Sequence, residues 1–180
     1  MSRLAIPTRD TAPTAAQPLL DAVEAQLGVV PNLFRLVGNS PAALEGFLGL
    51  HGALGRTLDL KTRNRLALAM AEVNGCDYCL SAHTYLGANL AKLDEAEMAA
   101  NRRGHSSDAK ADAALVFARK VAESRGQVTD GDIAAVKLAG YTDAQIVEIV
   151  ANVALNVLTN FMNNVADTDI DFPVVRAQAA

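Results

Sequence analysis

Both cysteines of this 180-residue chain fall in one short stretch, Glu72-Val73-Asn74-Gly75-Cys76-Asp77-Tyr78-Cys79-Leu80-Ser81-Ala82-His83. On a helix, side chains three and four apart share a face, so a helix opening at Cys76 brings Cys76, Cys79 and His83 onto one strip. The thiolate is the nucleophile of cysteine chemistry, and a free thiol ionises near ~8.5. The first turn of a helix favours that anion through its unpaired N–H groups and positive dipole end. Asn74-Gly75 interrupts the preceding apolar run and puts the cysteines in about that first turn. His83, one turn further on, is placed to take the Cys79 proton directly or through a water. The chemistry implied is attack of Cys79 on the outer oxygen of a peroxide. The resulting sulfenic acid is resolved by Cys76 to a disulfide, which an unidentified partner dithiol must then reduce.

Other readings of the same residues stay open. Cys76, Cys79 and His83 also suit a zinc half-site, whose fourth ligand would have to come from His51, His105 or a carboxylate. A pair of inert, packed cysteines is the third reading. Glu72 lies four residues before Cys76 and joins the same stripe only if the helix is unbroken. With a break at Asn74-Gly75 it sits at the end of the preceding helix, where a solvated or capping carboxylate is as good a reading as a catalytic one. Tyr78 reads as a packing residue before a hydrogen-bond donor. His51 and His105 stand alone and read as surface or packing histidines.

The elements that must position these residues are helices. Leu19, Leu20, Val23 and Leu27 are spaced for one helix face, with Gly28 as the stop. Val29-Val30-Pro31-Asn32 reads as a loop. Ser40-Pro41 is an N-cap with proline at the first helical position, predicting a helix to about Leu54. Helices follow over Lys61 to Val73 and from Cys76 or Asp77 to about Ala91. Asp94 with Glu97 starts a short helix. Asp108 caps one that runs to about Ser124, and Thr129 with Asp132 begins one ending at Gly140. Thr142 with Gln145 opens the longest, about Asp143 to Val165. On that last helix Glu148, Asn152, Asn156, Asn160 and Asn164 recur every four residues among apolar neighbours. Buried amides need partners, and the stripe reads first as a structural network near a subunit interface, then as a lining of the active site. The fold class expected is all-α, with about eight helices. Residues 1–14 form an extended N-terminal arm and residues 15–180 a single domain with an irregular tail.

Composition excludes several classes. Net charge is −4, no basic block stands out and Trp is absent, so nucleic-acid binding has no support. No segment reaches ~18 uninterrupted apolar residues and no signal peptide is apparent, which predicts a cytoplasmic protein with no membrane span. In that compartment a close cysteine pair is more often catalytic or metal-binding than structural. Hydrophobic residues make up 51% of the chain, predicting a surface buried against further copies.

The stretch from Glu72 to His83 resembles the core of the AhpD-like alkylhydroperoxidases, in the carboxymuconolactone decarboxylase superfamily, and looks closest to their peroxidase-related branch. Gly28-Val-Val-Pro-Asn32-Leu-Phe34 and Ser40-Pro41 resemble that branch's N-terminal pattern. Asn152-Val-Ala-Leu-Asn156-Val-Leu-Thr-Asn160 and Ala166-Asp-Thr-Asp-Ile-Asp-Phe-Pro173 resemble its C-terminal one. The resemblance implies an AhpD-like helix bundle assembled as a trimer or hexamer. It implies a thiol-dependent peroxidase reducing alkyl hydroperoxides, with no cofactor or metal, in which Cys79 is peroxidatic, Cys76 resolving and His83 part of a proton relay. In AhpD proper a relay glutamate stands at the position of Asn64 and a histidine at that of Tyr78, so Glu72 becomes the substitute for the relay acid. The alternatives are a carboxymuconolactone decarboxylase-like enzyme and a non-catalytic redox-sensing module.

Overall fold

Six consecutive buried residues, Leu66 to Ala71, mark the helix around which the chain is built. The structure is a computed structural model describing residues 1–178. Its α-helices are α1 (Gln17–Leu27), α2 (Asn32–Val37), α3 (Pro41–Leu54), α4 (Leu60–Val73), α5 (Asp77–Leu86), α6 (Glu95–Arg102), α7 (Ala109–Glu123), α8 (Asp130–Leu138) and α9 (Asp143–Ala166). A π-helical turn, Gly87–Ala91, follows α5 directly. No strand occurs among the described residues. The all-α expectation holds. The helix additional to the expected eight is α2, a six-residue turn started by Pro31, too short to carry a readable hydrophobic period.

From Leu66 to Ala71 helix α4 is apolar on every side, and α5, α6, α7 and α9 pack around it. One core cluster joins Leu66, Ala69 and Met70 to α7, α8 and α9. A second joins Leu68 and Ala71 to Cys76, Tyr78, Cys79 and Leu80, with Met98 of α6 and tail residues Ile170 and Phe172 against it. A third holds α1 and α3 on α9 through Leu20, Leu44, Phe47 and Leu155. The cysteines therefore sit between the central helix and the C-terminal tail.

The termini are strapped down by side chains. Arg35 donates to the carbonyls of Pro7 and Ile6, and Asn39 to that of Ala5. At the other end, Asp77 accepts from the Ala177 amide and pairs with Arg176, while Ser81 Oγ accepts from the Val175 amide at 2.9 Å. Helix α9 is long and apolar enough to cross a membrane by length and composition. One of its faces, with Ile149, Asn152, Val153, Asn156, Asn160 and Asn163, is instead buried in the fold.

Candidate active site

The end of α4 and the start of α5 form one continuous capping structure. Gly75 adopts φ +59°, the left-handed conformation that closes a helix without a Cβ penalty. The Gly75 amide donates to the Glu72 carbonyl at 3.1 Å and the Cys76 amide to that of Ala71 at 2.8 Å. These are the two bonds of a Schellman motif, and they satisfy carbonyls that the end of α4 would leave bare. The residue that completes this cap, Cys76, is also the N-cap of α5. Its sulfur accepts from the Cys79 amide at 3.3 Å. Asn74-Gly75 thus places Cys76 at the mouth of α5 and Cys79 in its first turn.

Both thiols are free and buried. They do not titrate alike. Cys79 is held below its ordinary value first by a hydrogen bond with Cys76, against the upward push of burial, with Asn160, Asn163 and Thr159 adding to the effect. Cys76 is pushed up, first by the same pairing with Cys79 and then by burial. The two thiols are therefore driven apart, Cys79 towards the anion and Cys76 towards the neutral form. None of the named groups that favour the anion is a cation; Cys76 supplies its thiol, and α9 supplies amides and a hydroxyl.

Helix α9 supplies these partners from its buried face. Asn163 Nδ2 donates to Cys79 Sγ at 3.3 Å. Asn160 Oδ1 accepts from Asn74 Nδ2 at 2.9 Å, and Asn74 Nδ2 also donates to the Met70 carbonyl. Asn164 Nδ2 donates to the Asn74 carbonyl. The asparagine stripe therefore divides. Asn152 and Asn156 bond back to carbonyls four residues earlier in their own helix, while Asn160 faces the thiols. Asn163 lies outside the every-fourth-residue pattern and only the packing of α9 on α5 brings it to the sulfur.

His83 is half-buried one turn beyond Cys79. Burial, and then the charge of His51, press its pKa down to about 4, so the ring is neutral at pH 7. Asn64 on α4 fixes it at two points. Asn64 Nδ2 donates to the His83 carbonyl at 3.1 Å and Asn64 Oδ1 lies 3.2 Å from His83 Nδ1. Because the amide nitrogen is committed to the carbonyl, its oxygen must accept from Nδ1–H. The other ring nitrogen, Nε2, is then left with a free lone pair. Gly87 makes this approach feasible, since a Cβ there would meet Asn64 Nδ2 at 2.7 Å.

Glu72 takes a different position. It pairs with Arg102 at 2.6 Å and accepts from the Gln178 amide at 2.7 Å. With Ala99, Arg102, Arg103 and Gln178 it lines a recess of about 60 Å³. Its hydrogen bonds include none to Cys76, Cys79 or His83, because the turn at Gly75 ends α4 before its face can continue into α5. Tyr78 packs edge-on against Phe172, and its hydroxyl accepts from the Leu33 amide at 3.1 Å. A separate groove of about 260 Å³ runs beside the start of α5, lined by Gly75, Asp77, Tyr78, Asn163, Thr168 and Arg176 among others. Among the described residues no group of three or more His, Cys, Asp and Glu side chains is disposed to hold a metal ion.

The fold has relatives. The sequence model of the carboxymuconolactone decarboxylase family matches residues 41–124, from the start of α3 to the end of α7. An alkylhydroperoxidase AhpD-core, peroxidase-related protein from Ralstonia eutropha JMP134 superposes with a TM-score of 0.83 at 27% identity, over 94% of this chain and 92% of that one. The fold is AhpD-like, and over residues 41–124 the chain is similar to the carboxymuconolactone decarboxylase family. A peroxidase-related protein from Silicibacter sp. TM1040 shares the AhpD-like fold with a TM-score of 0.80 at 22% identity, over 93% of this chain and 91% of that one. So does the debrominase Bmp8, crystallised with 2,3,4-tribromopyrrole, with a TM-score of 0.76 at 21% identity over 93% and 91%. No curated protein matches the sequence significantly.

Proposed function

We propose that this AhpD-like protein is a thiol-dependent peroxidase of the peroxidase-related branch, acting in the cytoplasm on hydroperoxides. The observation that carries the reading is a buried pair in which Cys79, in the first turn of α5, accepts from Asn163 and is held below the ordinary thiol value, while its neighbour Cys76 is pushed above it. In the first step His83 Nε2 takes the Cys79 proton, directly or through one water. The thiolate attacks the outer oxygen of R–O–O–H, the O–O bond breaks, and Cys79 becomes a sulfenic acid. The alkoxide leaves with the proton that His83 held, as an alcohol. In the second step Cys76 S–H attacks the sulfenic sulfur, a disulfide forms and water leaves. An external dithiol then returns both cysteines to thiols and is itself oxidised.

Asn64 supplies in this scheme the orientation that a relay carboxylate would otherwise give to His83. Glu72 contributes by tying the tail to α6 and the end of α4, not by moving a proton. A stripe on α9 supports assembly with further copies: Val147, Val150, Leu158, Phe161 and Val165 are all exposed on the helix face opposite the buried asparagines. A trimer or hexamer would cover it.

The test is peroxide consumption with a supplied dithiol, comparing the native protein with Cys79→Ser. Loss of turnover in the variant supports the mechanism, and unchanged turnover overturns it. Parallel incubation with 2,3,4-tribromopyrrole belongs in the assay, because a thiolate can also attack bromine with Cys76 resolving the product. Consumption of that compound in place of peroxide would move the assignment to dehalogenation.

A further inference from the structure

Two buried amide atoms beside Cys79 lack a close hydrogen-bond partner: Asn160 Nδ2, a donor that already favours the Cys79 anion, and Asn163 Oδ1, an acceptor. Their residues are 0% and 2% exposed. A buried amide group without a partner is costly, and two flanking one nucleophile call for an explanation. Neither can be relieved by turning the amide over. Asn160 Oδ1 is committed to Asn74 Nδ2, whose own orientation is set by donation to the Met70 carbonyl. Asn163 Nδ2 is committed to Cys79 Sγ. The unpaired donor and the unpaired acceptor are therefore fixed by the network that holds them.

We propose that Asn160 Nδ2 and Asn163 Oδ1 form the hydroperoxide-binding subsite, complementary to the donor and acceptor of R–O–O–H. The proposal rests on the peroxidase reading and adds to it the groups that recognise the substrate. A hydroperoxide carries one O–H, on the outer oxygen that the thiolate attacks, and an inner oxygen that departs. Asn163 Oδ1 accepts from the outer O–H and so turns that oxygen towards Cys79 Sγ. Asn160 Nδ2 donates to the inner oxygen. As the S–O bond forms and the O–O bond breaks, negative charge moves from sulfur to the inner oxygen, and the Asn160 bond strengthens as it does so. A donor preset for charge that develops in the transition state accelerates the step. The electron pair of the S–O bond comes from the thiolate, and the O–O pair leaves with the alkoxide, which takes the proton held by His83. The groove beside α5 has Asn163 as one of its walls.

Both asparagines also favour the thiolate, so the test must separate recognition from ionisation. Two second-order rates of the pre-reduced protein would be measured at a pH where Cys79 is fully ionised. One is sulfenic acid formation with tert-butyl hydroperoxide and the other alkylation with iodoacetamide, which needs a thiolate but offers no O–O–H. Asn160→Asp keeps the bond from Asn74 and replaces the donor by an acceptor, and Asn163→Ala removes the acceptor. The ratio of peroxide rate to alkylation rate should fall about 10- to 100-fold in each. An unchanged ratio overturns the subsite, even if both rates drop. Should Asn160→Asp not fold, Asn163→Ala decides alone. Failure of the native protein to react with peroxide while alkylating normally would instead refute the peroxidase reading beneath it.

Discussion

Asn64 holds His83 by its carbonyl and by its ring at once, at 3.1 and 3.2 Å, across the α4–α5 contact. The resemblance to AhpD proper places a relay carboxylate at this residue. The amide fixes the ring and offers no negative charge to favour its protonated form, so burial keeps the imidazole neutral.

Asn64→Glu should therefore raise the His83 pKa above its value of about 4, since a carboxylate beside the ring stabilises its cationic form. An NMR titration of the His83 ring checks this, and a midpoint that stays put would refute the account of Asn64. Gly87→Ala should mimic loss of Asn64, because the new Cβ would displace its amide nitrogen. Peroxide turnover would fall about 10- to 100-fold in Gly87→Ala and in Asn64→Ala alike.

The acid limb of the peroxide rate should belong to Cys79, not to His83. Cys79 loses its charge on acidification from a pKa below the ordinary thiol value, whereas His83 stays neutral down to about pH 4. A pH profile of alkylation, followed by peptide mass spectrometry, should find Cys79 modified first and Cys76 sparing until alkaline pH. Preferential labelling of Cys76 at pH 7 would reverse the roles assigned to the pair.

Cys76→Ser should stop the reaction after one equivalent of peroxide, with a sulfenic acid at Cys79 that dimedone captures. Cys79→Ser should form none. Continued turnover of Cys76→Ser with an added dithiol would mean that resolution comes from outside the chain.

Glu72→Gln should cost stability, not chemistry. Its carboxylate is largely buried against Arg102, so removing the charge should lower stability by about 1–3 kcal/mol while peroxide turnover stays within about twofold of native. A large loss of turnover at an unchanged melting temperature would return Glu72 to the proton relay.

Acid should destabilise the fold in two overlapping windows. His83 is kept neutral, so between about 6.5 and 4 the unfolded chain binds more protons than the native one and stability falls as pH falls. For Glu97, burial raises the pKa but bonds from Ser106, Asn101 and Ser107 outweigh it and hold it at about 2. Its contribution is therefore present above 4.5 and lost between 4.5 and 2. Glu97 also pairs with Arg65 in a site where both side chains are mostly buried. Glu97→Gln should cost about 3–5 kcal/mol and flatten the lower window, measurable by denaturant unfolding at several pH values.

Local chemistry carried most of the fold. Ser40, Asp94, Asp108, Thr129 and Thr142 accept cap hydrogen bonds where their spacing predicts helix starts. Gly75 ends α4 because no side chain competes with its positive φ. These are interactions within four or five residues, so the order of residues is enough to specify them. The placing of Cys76 at the N-cap of α5, with Cys79 and His83 along the helix, belongs to the same class. What depended on tertiary packing is how that strip is surrounded. Asn64 reaches His83 from nineteen positions away and Asn163 reaches Cys79 from eighty-four, contacts that arise only when α4 and α9 close on α5. Glu72 belongs to the distinctive stretch by sequence but is carried off to Arg102 by the turn at Gly75. A helical period tells which residues share a face; it does not tell which face of a distant helix will meet it.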